Sequence, residues 1–249
     1  MNYKNICLGT FVARPNRFLS IVDLEGSPVK AHVKNTGRCG ELLVPGVRVA
    51  LQDFRGHLGK RKTSFDLIAV EKRRNFGTSP VNIDSQLPNA LVKEALLDHS
   101  LSLPGLGPLD LVKPETTYAS SRFDFYLEDT KGQKAYLEVK GVTLEEEDHV
   151  FFPDAPTLRG KKHVKELIQA KKDGYLSYLL FLIQMDHVKA FHPNWRTDPA
   201  FAGALVEARE MGVCLLSYSC QVDWDRVLIQ QELPLSLNEH APFVRKVKG

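Results

Sequence analysis

The segment from Arg122 to Lys140 restricts the possible folds of this chain more than any other. Phe123, Phe125 and Leu127 alternate with Arg122, Asp124 and Tyr126; after a polar stretch, Glu128 to Gln133, Leu137 and Val139 alternate with Tyr136, Glu138 and Lys140. Two period-two runs joined by a polar link containing Gly132 predict an antiparallel hairpin, each strand with one apolar face. If the hairpin is symmetric about Lys131, paired residue numbers sum to 262, and Asp124 lies opposite Glu138. Opposed residues have β-carbons about 4.5–5.5 Å apart, where like charges destabilise the pair. A sequence that keeps two carboxylates there needs a proton or a cation between them. Asp124, Glu138 and the Val139 carbonyl form a set of hard oxygen ligands suited to Mg²⁺ or Mn²⁺. Lys140, on the same face, is placed to neutralise developing charge or to help deprotonate an attacking water. Asp124, Glu138 and Lys140 are therefore the candidate catalytic residues. Carboxylates on a strand are commonly solvated surface, and it is their convergence with the hairpin pattern that singles these out.

Charge is distributed unevenly. Residues 1–84 carry 14 Lys or Arg against 7 Asp or Glu, a net of +7, whereas the remainder holds 19 basic and 23 acidic side chains, a net of −4. A basic first part points to a polyanionic partner. This part reads as short strands: Val29, Ala31 and Val33 alternate with Lys30, His32 and Lys34, the turn Pro45-Gly46 precedes Val47, Val49 and Leu51, and Phe65 to Val70 follows. Several strands with basic loops and hardly any helical periodicity predict a small barrel of the OB type. Candidate phosphate contacts are Arg17, Lys30, Lys34 and Arg38, with Arg55, Lys60, Arg61 and Lys62 on a loop expected to be exposed; Lys72-Arg73-Arg74 adds a second cluster.

From Thr78-Ser79-Pro80 the character changes, giving expected domains of 1–84 and 85–249. Asn89 is a candidate cap for a helix reaching about Leu101. Strands are expected near Leu109–Val112, Arg122–Leu127 and Lys134–Val142. Thr157 or Asp154 opens a helix to about Lys172, stopped by Gly174. Strand Leu176–Gln184, a helix from Asp198-Pro199 to Gly212, and strand Val213–Val222 come next, then a short helix or turn. That order is an α/β layer with a mixed sheet. Arg159, Lys162, His163 and Glu166 share one helical stripe near the hairpin and, with Glu115, extend the candidate site. His192 and Trp195 fall in a loop, where a structural role outweighs base stacking. No apolar run reaches the roughly 18 residues of a membrane span. The four cysteines lack a CxxC pair, the first residues offer no export segment, and cytoplasm is the expected compartment.

The hairpin resembles the PD-(D/E)xK nuclease superfamily, whose signature is an Asp followed by Glu-x-Lys. Nearly the whole chain resembles the bacterial sugar fermentation stimulation protein family, through Arg14-Pro15-Asn16-Arg17-Phe18, His32 to Cys39, Ser121 to Phe125, Glu138-Val139-Lys140, Phe152 to Gly160 and Lys162-His163. The resemblance implies an OB-like barrel followed by a restriction-endonuclease-like domain, DNA binding without clear sequence preference, and a regulatory link to maltose metabolism. Phe123 departs from the signature, which often has Pro before the Asp. Two functions follow as expectations: a DNA-binding protein, or an Mg²⁺-dependent nuclease acting on DNA or RNA.

Overall fold

The computed structural model describes residues 1–239 except 36, 58, 60, 75 and 76. The chain begins with six strands: β1 (Ile6–Asn16), β2 (Leu19–Leu24), β3 (Ser27–Val33), β4 (Arg48–Asp53), β5 (Phe65–Arg74) and β6 (Gly77–Asn82). They hydrogen-bond in the order β3-β2-β1-β4-β5-β6, and β3 also pairs in parallel with β5, which closes the sheet into the expected barrel. Between β2 and β3 the link is Glu25-Gly26, both at positive φ (54° and 82°), the conformation a tight two-residue hairpin requires.

The three predicted strands correspond to β3, β4 and β5, although Lys34 follows β3 and Val47 precedes β4, and two further differences stand out. β5 continues to Arg74, so Lys72-Arg73-Arg74 belongs to a strand. Lys72 pairs with Glu145 and Arg74 donates to the Asp186 carbonyl at 2.5 Å, which ties this cluster to the second half of the chain. In β4, Ala50 is as buried as Val49 and Leu51. Both faces are covered: Val49 and Leu51 point into the barrel, and Ala50 packs beneath the helix that follows β6.

The second half contains α1 (Leu87–Leu97), β7 (Leu109–Tyr118), β8 (Ser121–Asp129), β9 (Lys134–Val142), β10 (Leu144–Glu146), β11 (His149–Phe152), α2 (Leu158–Lys172), β12 (Leu176–Ile183), β13 (Ala190–Pro193), α3 (Pro199–Glu210), β14 (Cys214–Val222) and β15 (Val227–Glu232). Its main sheet runs β15-β14-β12-β9-β8-β7, with β9, β12 and β14 parallel and the outer strands antiparallel. α1 covers one face through Leu91 and Leu96 against Phe125, Leu137 and Leu180, while α2 and α3 cover the other through Val164, Leu167 and Leu205 against Leu179 and Phe181. β12 is buried on both faces, which explains its continuous apolar run. Thr157 caps α2 through the Gly160 N–H at 2.9 Å, and Asp198 caps α3 through Phe201 at 2.9 Å.

Three features depart from expectation. Asn89 lies inside the first turn of α1, whose N-cap is Gln86 with Pro88 just inside the helix. The last element is β15, a strand completing the sheet edge, in place of a helix or turn. β10, β11 and β13 form a separate small sheet, and His192 lies in β13, buried and stacked on Phe151 at 5.5 Å. Strands of three or four residues carry too few alternations to be recognised in sequence.

Four residues, 83–86, lead from β6 to α1, and the Asn82 N–H donates to the Gln184 carbonyl at 3.0 Å, joining barrel to sheet. All four cysteines are free. Among the described residues, no helix is long and apolar enough to cross a membrane.

Candidate metal site

The β8–β9 register is Phe125↔Leu137, Tyr126↔Tyr136, Leu127↔Ala135 and Glu128↔Lys134, every pair summing to 262 as the sequence predicts. Regular pairing stops at Phe125. One position further, the Asp124 side chain takes over the ladder: its Oδ2 accepts the Val139 N–H at 2.8 Å, and its Oδ1 accepts from Asn89 Nδ2 at 2.7 Å. The residue expected to cap α1 thus holds a site carboxylate.

Here the alternation also breaks. Phe123 was expected on the face of Phe125 and Leu127, but its ring lies 5.3 Å from Tyr136 and 6.1 Å from His163, on the α2 side. Phe125 and Leu127 pack towards α1. The rung opposite Asp124 in β7 is missing as well, and Glu115, which would occupy it, adopts φ 55°. A pleat interrupted on both sides no longer dictates the face of the next side chain.

Glu138 projects towards α2 and is 2% exposed. Its Oε1 accepts from His163 Nδ1 and from Lys140 Nζ, each at 2.5 Å; its Oε2 is buried without a hydrogen-bond partner among the described residues. Arg159 Nε lies 3.4 Å from His163 Nε2. An arginine only donates, so Nε2 accepts and Nδ1 carries the hydrogen given to Glu138. Burial would raise the Glu138 pKa, but the hydrogen bond from His163 and the charge and hydrogen bond of Lys140 outweigh it and hold the group below its usual value. Asp124 goes the other way. Burial, then the Glu138 charge, push it up to about 6, against the opposing pull of the Val139 N–H, Lys140 and Asn89. Asp124 thus feels the Glu138 charge, although its own partner Asn89 comes from α1 and that of Glu138, His163, from α2.

The structure brings Asp124, Glu138, Val139, Lys140, His163 and Arg159 together. It does not bring Glu115, which pairs with Arg122 at 2.7 Å on the surface, or Lys162, which donates to the Ser120 carbonyl at 2.9 Å. Glu166 binds Ser120 Oγ beside Lys162. Among the described residues no three His, Cys, Asp or Glu side chains converge on a point.

The candidate phosphate contacts divide into two groups. Arg17, Lys30, Arg38 and Lys62 are exposed, with Arg17 lying over the exposed Phe18 ring at 4.9 Å. Lys34 is bound by Asp84 at 2.8 Å and Asp66 at 3.7 Å, Arg61 pairs with Asp66 and covers Phe54, and Arg55 makes a two-pronged contact with Asp53 at 2.9 and 2.7 Å. These three already have carboxylate partners. Lys60 lies outside the described residues.

Known proteins give a consistent picture. The family model "Sugar fermentation stimulation protein RE domain" matches residues 86–226, and "SfsA N-terminal OB domain" matches residues 12–81. A sugar fermentation stimulation protein homolog of Enterococcus mundtii is 45% identical over 240 residues, covering 96% of this chain and 97% of the relative. The Clostridium beijerinckii homolog is 46% identical over 237 residues, covering 95% and 100%. Pyrococcus furiosus SfsA, solved in complex with Ca²⁺, superposes with a TM-score of 0.83 at 27% identity, over 95% of this chain and 98% of that one. With both halves matched and the fold shared end to end, this chain belongs to the sugar fermentation stimulation protein family.

Proposed function

We propose that this protein binds DNA and that Asp124 and Glu138 hold a divalent cation, Mg²⁺ or Mn²⁺, for hydrolysis of a phosphodiester. The carrying observation is Glu138 Oε2, a buried carboxylate oxygen with no hydrogen-bond partner among the described residues, on a group whose charge is felt at Asp124. A buried acceptor left unsatisfied costs about 1–3 kcal/mol, more when charged, and a bound cation removes that cost. The Ca²⁺ complex of the Pyrococcus relative supports the reading, since Ca²⁺ and Mg²⁺ both take oxygen ligands. A cation held here supplies Lewis-acid stabilisation of phosphate charge and a more acidic water. The protein does the positioning. Asn89 and the Val139 N–H fix the Asp124 carboxylate, His163 fixes Glu138, and the Lys140 ammonium stands at Glu138 Oε1, ready to meet charge developing on a phosphate. Calorimetric titration with Mg²⁺ or Mn²⁺ should show saturable binding that Asp124→Ala or Glu138→Ala abolishes. A wild-type protein that takes up neither ion overturns the metal reading.

A binding-only reading has one observation in its favour: Lys140 and His163 already satisfy Glu138 Oε1 without a metal. In both readings the exposed Arg17, Lys30, Arg38 and Lys62 meet DNA phosphates. Neutralising all four together should weaken duplex binding. It should also flatten the dependence of log Kd on log salt by up to about 0.9 per lost contact. An unchanged slope places the DNA surface elsewhere.

A further inference from the structure

Beside the candidate metal site, a polar cavity of about 290 Å³ opens between the barrel and the main sheet. It adjoins the site through the chain itself: Gly141 on its wall follows Lys140, and Pro88 precedes Asn89, whose amide holds Asp124. Gly141 keeps it open, because a β-carbon there would come within 2.5 Å of Gln184 Oε1 and 2.8 Å of Pro88 Cγ. Gln184 is 2% exposed. Its Nε2 is spent on Asn82 Oδ1 at 3.0 Å and the Asp84 carbonyl at 3.1 Å, which turns Oε1 towards Gly141 and the cavity with no hydrogen bond among the described residues. At the rim, neither the Asp154 carboxylate nor Nδ2 of Asn35, whose Oδ1 accepts the Gly37 N–H at 2.8 Å, has a hydrogen-bond partner among the described residues. Arg14 braces this rim by donating to the carbonyls of Asn35, Gly37 and Arg38 at 2.7, 2.9 and 2.6 Å.

An enclosure with apolar wall from Pro88 and Leu144, two free acceptors and one free donor has the chemistry of a nucleobase site. Its volume lies at the lower limit of small-ligand sites, about 300–1,000 Å³, which suits one base and excludes a duplex. We propose that this cavity is a single-base subsite that takes an unstacked guanine from the strand lying across Asp124 and Glu138. Guanine offers adjacent N1–H and N2–H donors to Asp154 and Gln184 Oε1, and an O6 acceptor to Asn35 Nδ2. The base reaches it from single-stranded DNA or by leaving the helix. The inference rests on the DNA reading above and deepens it.

The test uses the full-length protein in EDTA, so that the cation site plays no part. Anisotropy is measured with labelled short oligothymidylates bearing a central dG, deoxyinosine, dA or abasic residue. Affinity for dG should exceed that for the abasic residue about tenfold, the scale of one bound base, with deoxyinosine between them because it lacks the N2 amino group. In Asp154→Asn, and separately in Gly141→Ala, the ratio of dG to abasic affinity should fall to about one. A ratio of one in the wild type, or one that survives both substitutions, overturns the subsite while DNA binding stands. Absence of binding to every oligonucleotide and to duplex DNA would instead overturn the DNA reading, and this inference with it.

Discussion

Lys140→Ala should lower metal-dependent DNA cleavage by about 10²–10³-fold, the usual loss when one electrostatic stabiliser of a transition state is removed. Duplex affinity should change little, since one phosphate contact among many supplies a small share of binding. The geometry makes the substitution informative in a second way. Lys140 Nζ lies 2.5 Å from Glu138 Oε1, so its removal takes a positive charge away from the carboxylate pair. Cation affinity should therefore hold or rise in the variant, and lost cleavage with the cation retained assigns Lys140 to the reaction and not to metal capture. The assay spans single-stranded, duplex and branched DNA as well as RNA, each with Mg²⁺ and Mn²⁺. Cleavage undiminished in Lys140→Ala would locate hydrolysis elsewhere. No cleavage by the wild type on any substrate would leave only the binding reading.

The parts of this protein readable in its sequence are those set by local periodicity. The hairpin register follows from symmetry about Lys131, α2 starts at Thr157, one of its two expected caps, and α3 starts at Asp198. Where regular structure gives way, the sequence signal fails. Asp124 leaves the ladder to bind a main-chain N–H, and from that position backwards the face of Phe123 no longer follows from counting. Asn89 carries a type of residue common at helix caps, and nothing nearby distinguishes a cap from a side chain reaching 35 positions along the chain to Asp124. His163 was recoverable because helical spacing places it on the stripe of Arg159 and Glu166. Glu115 was not excludable, because its left-handed backbone and its pairing with Arg122 depend on a neighbouring strand.

Lys34 shows the same limit most sharply, and Lys34→Ala should act on stability far more than on DNA binding. The sequence puts Lys34 in one cationic row with Lys30 and His32, but β3 ends at Val33, so the pleat no longer directs the Lys34 side chain. It turns inward to Asp84 at 2.8 Å and Asp66 at 3.7 Å, two carboxylates whose side chains are 2% and 1% exposed. Among the described residues, Asp66 Oδ2 has no hydrogen bond of its own, and Asp84 Oδ2 has only the Tyr3 hydroxyl at 3.3 Å besides Lys34. Taking away one member of a buried ion pair leaves uncompensated charge and costs about 3–5 kcal/mol. For a chain of this size that corresponds to a fall in Tm of about 6–20 °C. Arg61 also reaches Asp66, so the loss should sit towards the lower end if that contact takes up the charge. Combining Lys34→Met with Asp84→Asn should recover much of the loss, because the second change removes the charge that the first one stranded. A Lys34→Ala protein with unaltered Tm and weakened, less salt-dependent DNA binding would show the opposite: that Lys34 leaves its carboxylates in solution and serves the phosphate backbone after all.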